Sequence, residues 1–147
     1  MGYQNIRGTT LNSGLKIPEE LDIMRELGIE KQGMPEINKS WSTGNMWQYE
    51  MMTNIMFKNS KSALSSASAA HDCKNQPGGN ILTLTGDGAC RAQKANGDKW
   101  GKFCWQTIRG ARDEVIIVIT AYQVCQEARH NPGPYLAYTQ QYTVMRE

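Results

Sequence analysis

Three polar residues far apart in the chain are of the types that handle phosphate: Asn5, Glu36 and Tyr122. Each stands at the end of a stretch that reads as a β-strand. A carboxylate at a strand end beside an amide suits a hard divalent cation. Magnesium takes one or two carboxylates and keeps room for water and a phosphate oxygen. A tyrosine hydroxyl nearby can donate to a phosphate oxygen or steer a nucleophile. Each residue also has a plainer reading, since a lone Glu is most often on the surface and a lone Tyr at a strand end most often packs. A second group of candidates is basic. Arg91, Lys94, Lys99, Lys102, Arg109 and Arg112 follow one another with only Asp98 opposing them. They form either a solvated basic face or a surface that tracks a nucleic-acid phosphate backbone.

The rest of the composition narrows the classes. A chain of 147 residues suits one domain. With 39% hydrophobic and 20% charged residues it can bury a core. Mean hydropathy is −0.57, and no apolar run approaches the roughly eighteen residues of a membrane span. The start, Met1-Gly2-Tyr3-Gln4-Asn5, has neither the basic region nor the apolar core of a secretory signal, and Ile6 stands where a myristoylation site needs Ser or Thr. An intracellular protein, cytoplasmic or nuclear, is therefore expected. The net charge of +2 permits nucleic acid without requiring it. Cys73, Cys90, Cys104 and Cys125, with His71 and His130, lack zinc-finger spacing, so reduced and partly buried thiols are expected.

These residues must be positioned by a sheet. Tyr3 to Gly8 is a short strand candidate. Pro18 suits the first turn of a helix whose apolar face is Ile17, Leu21, Met24 and Leu27, with Gly28 as its stop. Residues 29–37 read as a strand interrupted by Gly33 and Pro35. A second helix, capped by Ser42 or Thr43, carries a Met-rich face through Met46, Trp47, Glu50, Met51, Ile55 and Met56, read as adaptable core. The Ala- and Ser-rich run 62–70 is ambiguous. Strands are expected at 80–85, 89–93, 102–109 and 114–122, with a turn at Asn96-Gly97-Asp98. The run Val115-Ile116-Ile117-Val118-Ile119 is the most apolar and predicts a central strand buried on both faces, ending at Tyr122. After a turn at 130–134, a last helix follows over 135–147. This order predicts an α/β layout of the α+β kind, with a mostly antiparallel sheet flanked by helices.

The order of local patterns also resembles the N-terminal half of the endonuclease/exonuclease/phosphatase family, whose members include deoxyribonuclease I, abasic-site endonucleases and retroelement endonucleases. Gln4-Asn5-Ile6-Arg7-Gly8 is similar to its opening Asn-x-Asn-Gly strand, and Met34-Pro35-Glu36-Ile37-Asn38 to its Leu-x-Glu strand. Gln76-Pro77-Gly78-Gly79-Asn80 resembles the Gly-Gly strand start. Asp98-Lys99-Trp100-Gly101-Lys102-Phe103 resembles the Gly-Arg-Trp segment, and Thr120-Ala121-Tyr122-Gln123-Val124 the Ser-x-Tyr-x-Pro strand end. Gly133-Pro134 with Tyr138 to Tyr142 resembles the helix that follows in retroelement-type members. The resemblance implies Asn5, Glu36 and Tyr122 as catalytic residues, Glu36 as ligand of Mg2+ or Mn2+, and DNA as substrate. Arg7 and Val124 depart from the pattern.

The resemblance further implies a single, truncated domain over 1–147, one half of a two-sheet α/β sandwich. The family's later Gly-Asp-x-Asn and Ser-Asp-His segments, which supply an Asp and a His, have no counterpart here. An apolar sheet face left uncovered would call for a partner or a second copy. Two functions are therefore expected as alternatives. One is a metal-dependent phosphodiesterase of endonuclease type. The other is a non-catalytic remnant that self-assembles or binds the phosphate backbone of DNA or RNA through Arg91, Lys94, Lys99, Lys102 and Arg109.

Overall fold

The computed structural model describes residues 1–3, 16–37, 43–66 and 78–122. Asn5, most of the first strand candidate, the turn at 130–134 and the last expected helix lie outside the described residues. The elements are β1 (Gly2–Tyr3), α1 (Lys16–Glu26), β2 (Lys31–Met34), α2 (Thr43–Met56), β3 (Ser60–Ser65), β4 (Asn80–Thr85), α3 (Gly86–Cys90), β5 (Ala92–Gly97), β6 (Phe103–Arg109) and β7 (Val115–Ala121). They form an α+β fold with two sheets. The first is ordered β1-β2-β4-β3, with β1 parallel to β2 and the other pairs antiparallel; the second is the antiparallel β5-β6-β7.

Strand β4 lies at the centre of the layering, and all six of its residues are buried. Ile81 joins Ile17, Leu21, Met24, Met34, Ile37 and Tyr49 in a core beneath the helices. Leu82 and Leu84 point the other way and meet Cys104, Ile108 and Val118 of the second sheet. This alternation is the period-2 geometry of a strand with a layer on each face. The polar residues that β4 also buries are hydrogen-bonded. Thr83 Oγ1 lies 2.5 Å from the hydroxyl of Tyr49 and 3.2 Å from that of Ser62. Gln106 donates from β6 to the Leu82 carbonyl at 2.8 Å and the Lys61 carbonyl at 3.1 Å, stitching the sheets together. Thr83 and Gln106 are tolerated in a dry interior because each has a partner.

The apolar run expected at the centre takes a different place. β7 is the edge of the second sheet among the described strands, and only Val118 and Thr120 are buried in it. Val115, Ile117 and Ile119 are 57–60% exposed. Composition favours a strand there but does not assign its neighbours. β4, with three Thr or Asn in six residues, holds the centre because α2 and β6 supply the hydrogen bonds it needs.

Helix α1 follows its expected face, with Ile17, Leu21 and Met24 buried. It closes with the Gly28 N–H on the Arg25 carbonyl and the Ile29 N–H on the Met24 carbonyl, a Schellman ending. Leu27 falls past the last helical residue and is exposed. Helix α2 is turned relative to expectation. Tyr49 and Thr53 face the core with Met52 and Met56 beside them, while Trp47, Met51 and Ile55 face outward. Both faces of α2 are apolar enough to be buried, and the Tyr49–Thr83 hydrogen bond selects one. The ambiguous run contributes β3, and 86–90 forms the short α3 before β5, so that strand starts three residues later than expected.

The two sheets approach closely at Gly33 of β2. A β-carbon there would collide with Oγ1 of Thr120 and sit 3.2 Å from its Cγ2. Gly33→Ala is expected to lower stability in urea unfolding by about 1–3 kcal/mol through overpacking. Adding Thr120→Ala removes both obstructing atoms, so the double variant should recover part of the loss and show non-additive coupling.

Candidate functional site

Four strand ends converge at one end of the two sheets. β2 leads through Pro35 into Glu36 and Ile37, whose N–H bonds the Gly79 carbonyl at 3.0 Å. Gly79, just before β4, donates to the Gly101 carbonyl at 2.8 Å. Asn80 adds a side-chain bond from Nδ2 to that same oxygen at 2.7 Å. Lys102 precedes β6, and its carbonyl accepts the N–H of Tyr122, at the end of β7, at 2.7 Å. A continuous ladder thus runs from Glu36 to Tyr122 through Gly79, Gly101 and Lys102.

This ladder brings two of the three expected residues together. The Tyr122 hydroxyl donates to Glu36 Oε1 at 3.2 Å, across 86 positions of sequence. Both side chains are half-buried. Glu36 has a φ of +59°, a left-handed conformation that a non-glycine residue adopts only where its surroundings hold it. Here the hold is visible, with Pro35 on one side and the Ile37–Gly79 hydrogen bond on the other.

The turn that presents Lys102 is organised by Asp98, which the sequence marked as a turn residue and as the charge opposing the basic run but not as an anchor. Its Oδ1 accepts the Ser65 hydroxyl at 2.7 Å, the Lys102 N–H at 2.7 Å and the Phe103 N–H at 2.9 Å. Its Oδ2 accepts the Trp100 N–H at 3.1 Å. The Asn96-Gly97-Asp98 turn signal pointed to the place. The long-range bond to β3 could not be read from it. Gly101, at φ +73°, sits where a β-carbon would lie 2.5 Å from the Ser66 carbonyl oxygen and 2.6 Å from the Gly79 nitrogen. Only glycine fits that crossing.

The basic residues do not share one environment. Arg91 and Arg109 meet at the far end of the β5–β6 hairpin, where the Arg109 N–H bonds the Arg91 carbonyl at 2.9 Å. Arg109 is also paired with Asp113. Lys94 is exposed on β5. Lys99 is exposed beside the candidate site, its Nζ 4.3 Å from the centroid of the Trp100 ring. Lys102 alone of the six is buried, at 3% exposure, with Nζ 5.6 Å from the Tyr122 ring centroid. Burial lowers its pKa to about 8, against an opposing pull from the Asp98 carboxylate.

Cys104 is buried in the inter-sheet core, and burial, with Asp98 next, pushes its thiol up to about 12, so it acts as packing. Cys90 is exposed, and both are free thiols. Cys73 and Cys125 lie outside the described residues. Among the described residues no helix is long and apolar enough to cross a membrane. Compared with known proteins, the chain matches no family model and no curated protein.

The lowered pKa of Lys102 has a stability consequence. Between about pH 8 and 10.5 the unfolded chain holds this proton more firmly than the folded one, so Lys102 adds stability as pH rises through that window. Cys104 acts in the opposite sense above its ordinary value of 9.0. Comparing the parent with Lys102→Met cancels the Cys104 effect. The variant should be the more stable at pH 7, by up to about 3 kcal/mol, and urea unfolding at a series of pH values should show the two converging near pH 10.5.

Proposed function

We propose that the chain is a metal-dependent phosphodiesterase of endonuclease type, related to the endonuclease/exonuclease/phosphatase family. The observation that carries this reading is the Tyr122–Glu36 hydrogen bond at the convergence of four strand ends. Both residues were singled out from separate motifs of that family, and the fold sets them in contact across 86 positions of sequence. The left-handed backbone at Glu36 adds weight, because such strain gathers at functional positions.

Glu36 fits a magnesium-type ion. It is a half-buried carboxylate, held in place and open to water or substrate oxygens. A magnesium-type ion takes one or two protein carboxylates and completes its shell with water and phosphate oxygens, which Glu36 suits. When bound, such an ion polarises the phosphate and neutralises charge that develops on it. Tyr122 orients the Glu36 carboxylate and presents a hydroxyl that can turn to a phosphate oxygen. Lys99 and Lys102 place positive charge beside this end, where a polyanion would be attracted without sequence preference.

A second reading rests on β7. Val115, Ile117 and Ile119 present an exposed apolar row on an edge strand that carries no Lys or Pro to block pairing. That favours self-association, with or without catalysis.

Nicking of supercoiled plasmid tests the first reading. The purified chain should convert plasmid to the open circle with magnesium and not with a chelator. Glu36→Gln should abolish the activity, and Tyr122→Phe should lower its rate by about 10²-fold. Nicking that persists in Glu36→Gln would sink the assignment. For the second reading, sedimentation of the parent should show a dimer or larger species, and Ile117→Lys should shift it to monomer. A monomeric parent would remove that reading.

A further inference from the structure

Lys102 is chemically set apart from the other basic residues of its segment. It is 3% exposed, and among the described residues its Nζ has no hydrogen-bond partner. Asn80 Oδ1 is also buried without a partner, while the amide nitrogen of the same side chain is tied to the carbonyl of Gly101, the residue before Lys102. Lys102 Nζ lies beside the Tyr122 ring, and the Asn80 side chain is fastened to the residue that precedes Lys102. Buried polar groups are normally satisfied, and a lone buried ammonium is a poor choice for stability alone.

The backbone of Lys102 is held firmly. Its N–H is on Asp98 Oδ1 and its carbonyl takes the Tyr122 N–H, both at 2.7 Å. The side chain is held differently. It has four rotatable methylenes, and its ammonium lies 5.6 Å from the centroid of the Tyr122 ring with no hydrogen bond to fix it among the described residues. The charge can therefore swing while its attachment point stays fixed. The groups recorded against it are the Asp98 carboxylate in its own turn and the Tyr122 ring at the end of β7.

We propose that Lys102 is an oxyanion-binding residue of this site, whose ammonium leaves the Tyr122 ring to pair with a phosphate oxygen of the ligand. The ammonium has three protons to donate, so a phosphate oxygen finds a donor there. The ligand class is a phosphate group, either a phosphodiester in a nucleic-acid strand or a free phosphate. Charge-assisted contact with an anion removes the unpaired state that the ligand-free arrangement leaves. The proposal rests on reading this end of the sheets as a phosphate-handling site, but it requires no hydrolysis.

The test uses the Glu36→Gln chain, so that no substrate is consumed, with lysines labelled at Cε by 13C. The Lys102 signal is assigned by its loss in Lys102→Met. Inorganic phosphate and a short single-stranded oligonucleotide are titrated separately, against sodium chloride at matched ionic strength. The Lys102 signal should move saturably with at least one phosphate ligand and not with chloride. Calorimetry should show that ligand binding at least tenfold weaker in Lys102→Met, with thermal unfolding confirming that the variant is folded. Movement with the oligonucleotide alone identifies a phosphodiester site, and movement with phosphate as well identifies a general phosphate anchor. A Lys102 signal unmoved by both ligands, or undiminished binding in folded Lys102→Met, overturns the proposal. Plasmid nicking by the parent separates the two ideas. Phosphate binding at Lys102 without nicking removes the hydrolytic reading alone, whereas Glu36-dependent nicking with a silent Lys102 removes only this one.

Discussion

The carboxylate of Asp98 is the anchor on which the candidate site depends. It accepts one hydroxyl and three main-chain N–H groups, from Ser65, Lys102, Phe103 and Trp100. Hydrogen bonds to a charged acceptor are stronger than neutral ones, at about 1.5–3 kcal/mol each, and three of these fix consecutive parts of one turn. The fourth ties that turn to β3 of the other sheet. Once the turn is fixed, Gly101 must cross Ser66 and Gly79 at short range, and Lys102 must face Tyr122. The ladder from Glu36 to Tyr122 follows from these constraints.

A similar logic governs the interior. The central strand is not the most apolar strand. β4 buries Asn80, Thr83 and Thr85, each with a hydrogen bond to a group outside the strand, among them Tyr49 of α2, Gly101 and the Ile29 carbonyl. Leu82 and Leu84 supply the apolar contact to the second sheet, and Ile81 supplies it to the helices. Polar partners across layers make the packing specific, since a slip of β4 by one residue would bury unpaired hydroxyls in both cores. The apolar β7 leaves Val115, Ile116, Ile117 and Ile119 exposed.

At the end of the sheets where Glu36 and Tyr122 meet, two local arrangements run the other way. Glu36 is held in a left-handed backbone, and Lys102 Nζ is buried without a hydrogen bond among the described residues. Both are locally unfavourable, and both border Tyr122. Among the described residues left-handed backbone also occurs at Arg112 and Asp113, and buried oxygens without a hydrogen bond at Glu20 and Gln32, but here the two features meet around one side chain.

The amino-acid sequence by itself determined the local elements. Strand propensity and turn residues located β4, β6 and β7 within a residue or two, and the apolar spacing with Gly28 located α1 and its end. Glu36 and Tyr122 were legible as polar residues at strand ends, and their assignment to one site rested on the family resemblance rather than on local chemistry. Only the tertiary structure decided which strand is central, which face of α2 turns inward, that Lys102 is buried while its basic neighbours are not, and that Asp98 anchors the turn. Each of these depends on a partner distant in sequence: Thr83 for Tyr49, Ser65 for Asp98, Tyr122 for Lys102. Hydrophobic periodicity records that a side chain is apolar at a given spacing. It carries no record of which layer or hydrogen-bond partner will meet it, and in this chain those long-range pairings place the site.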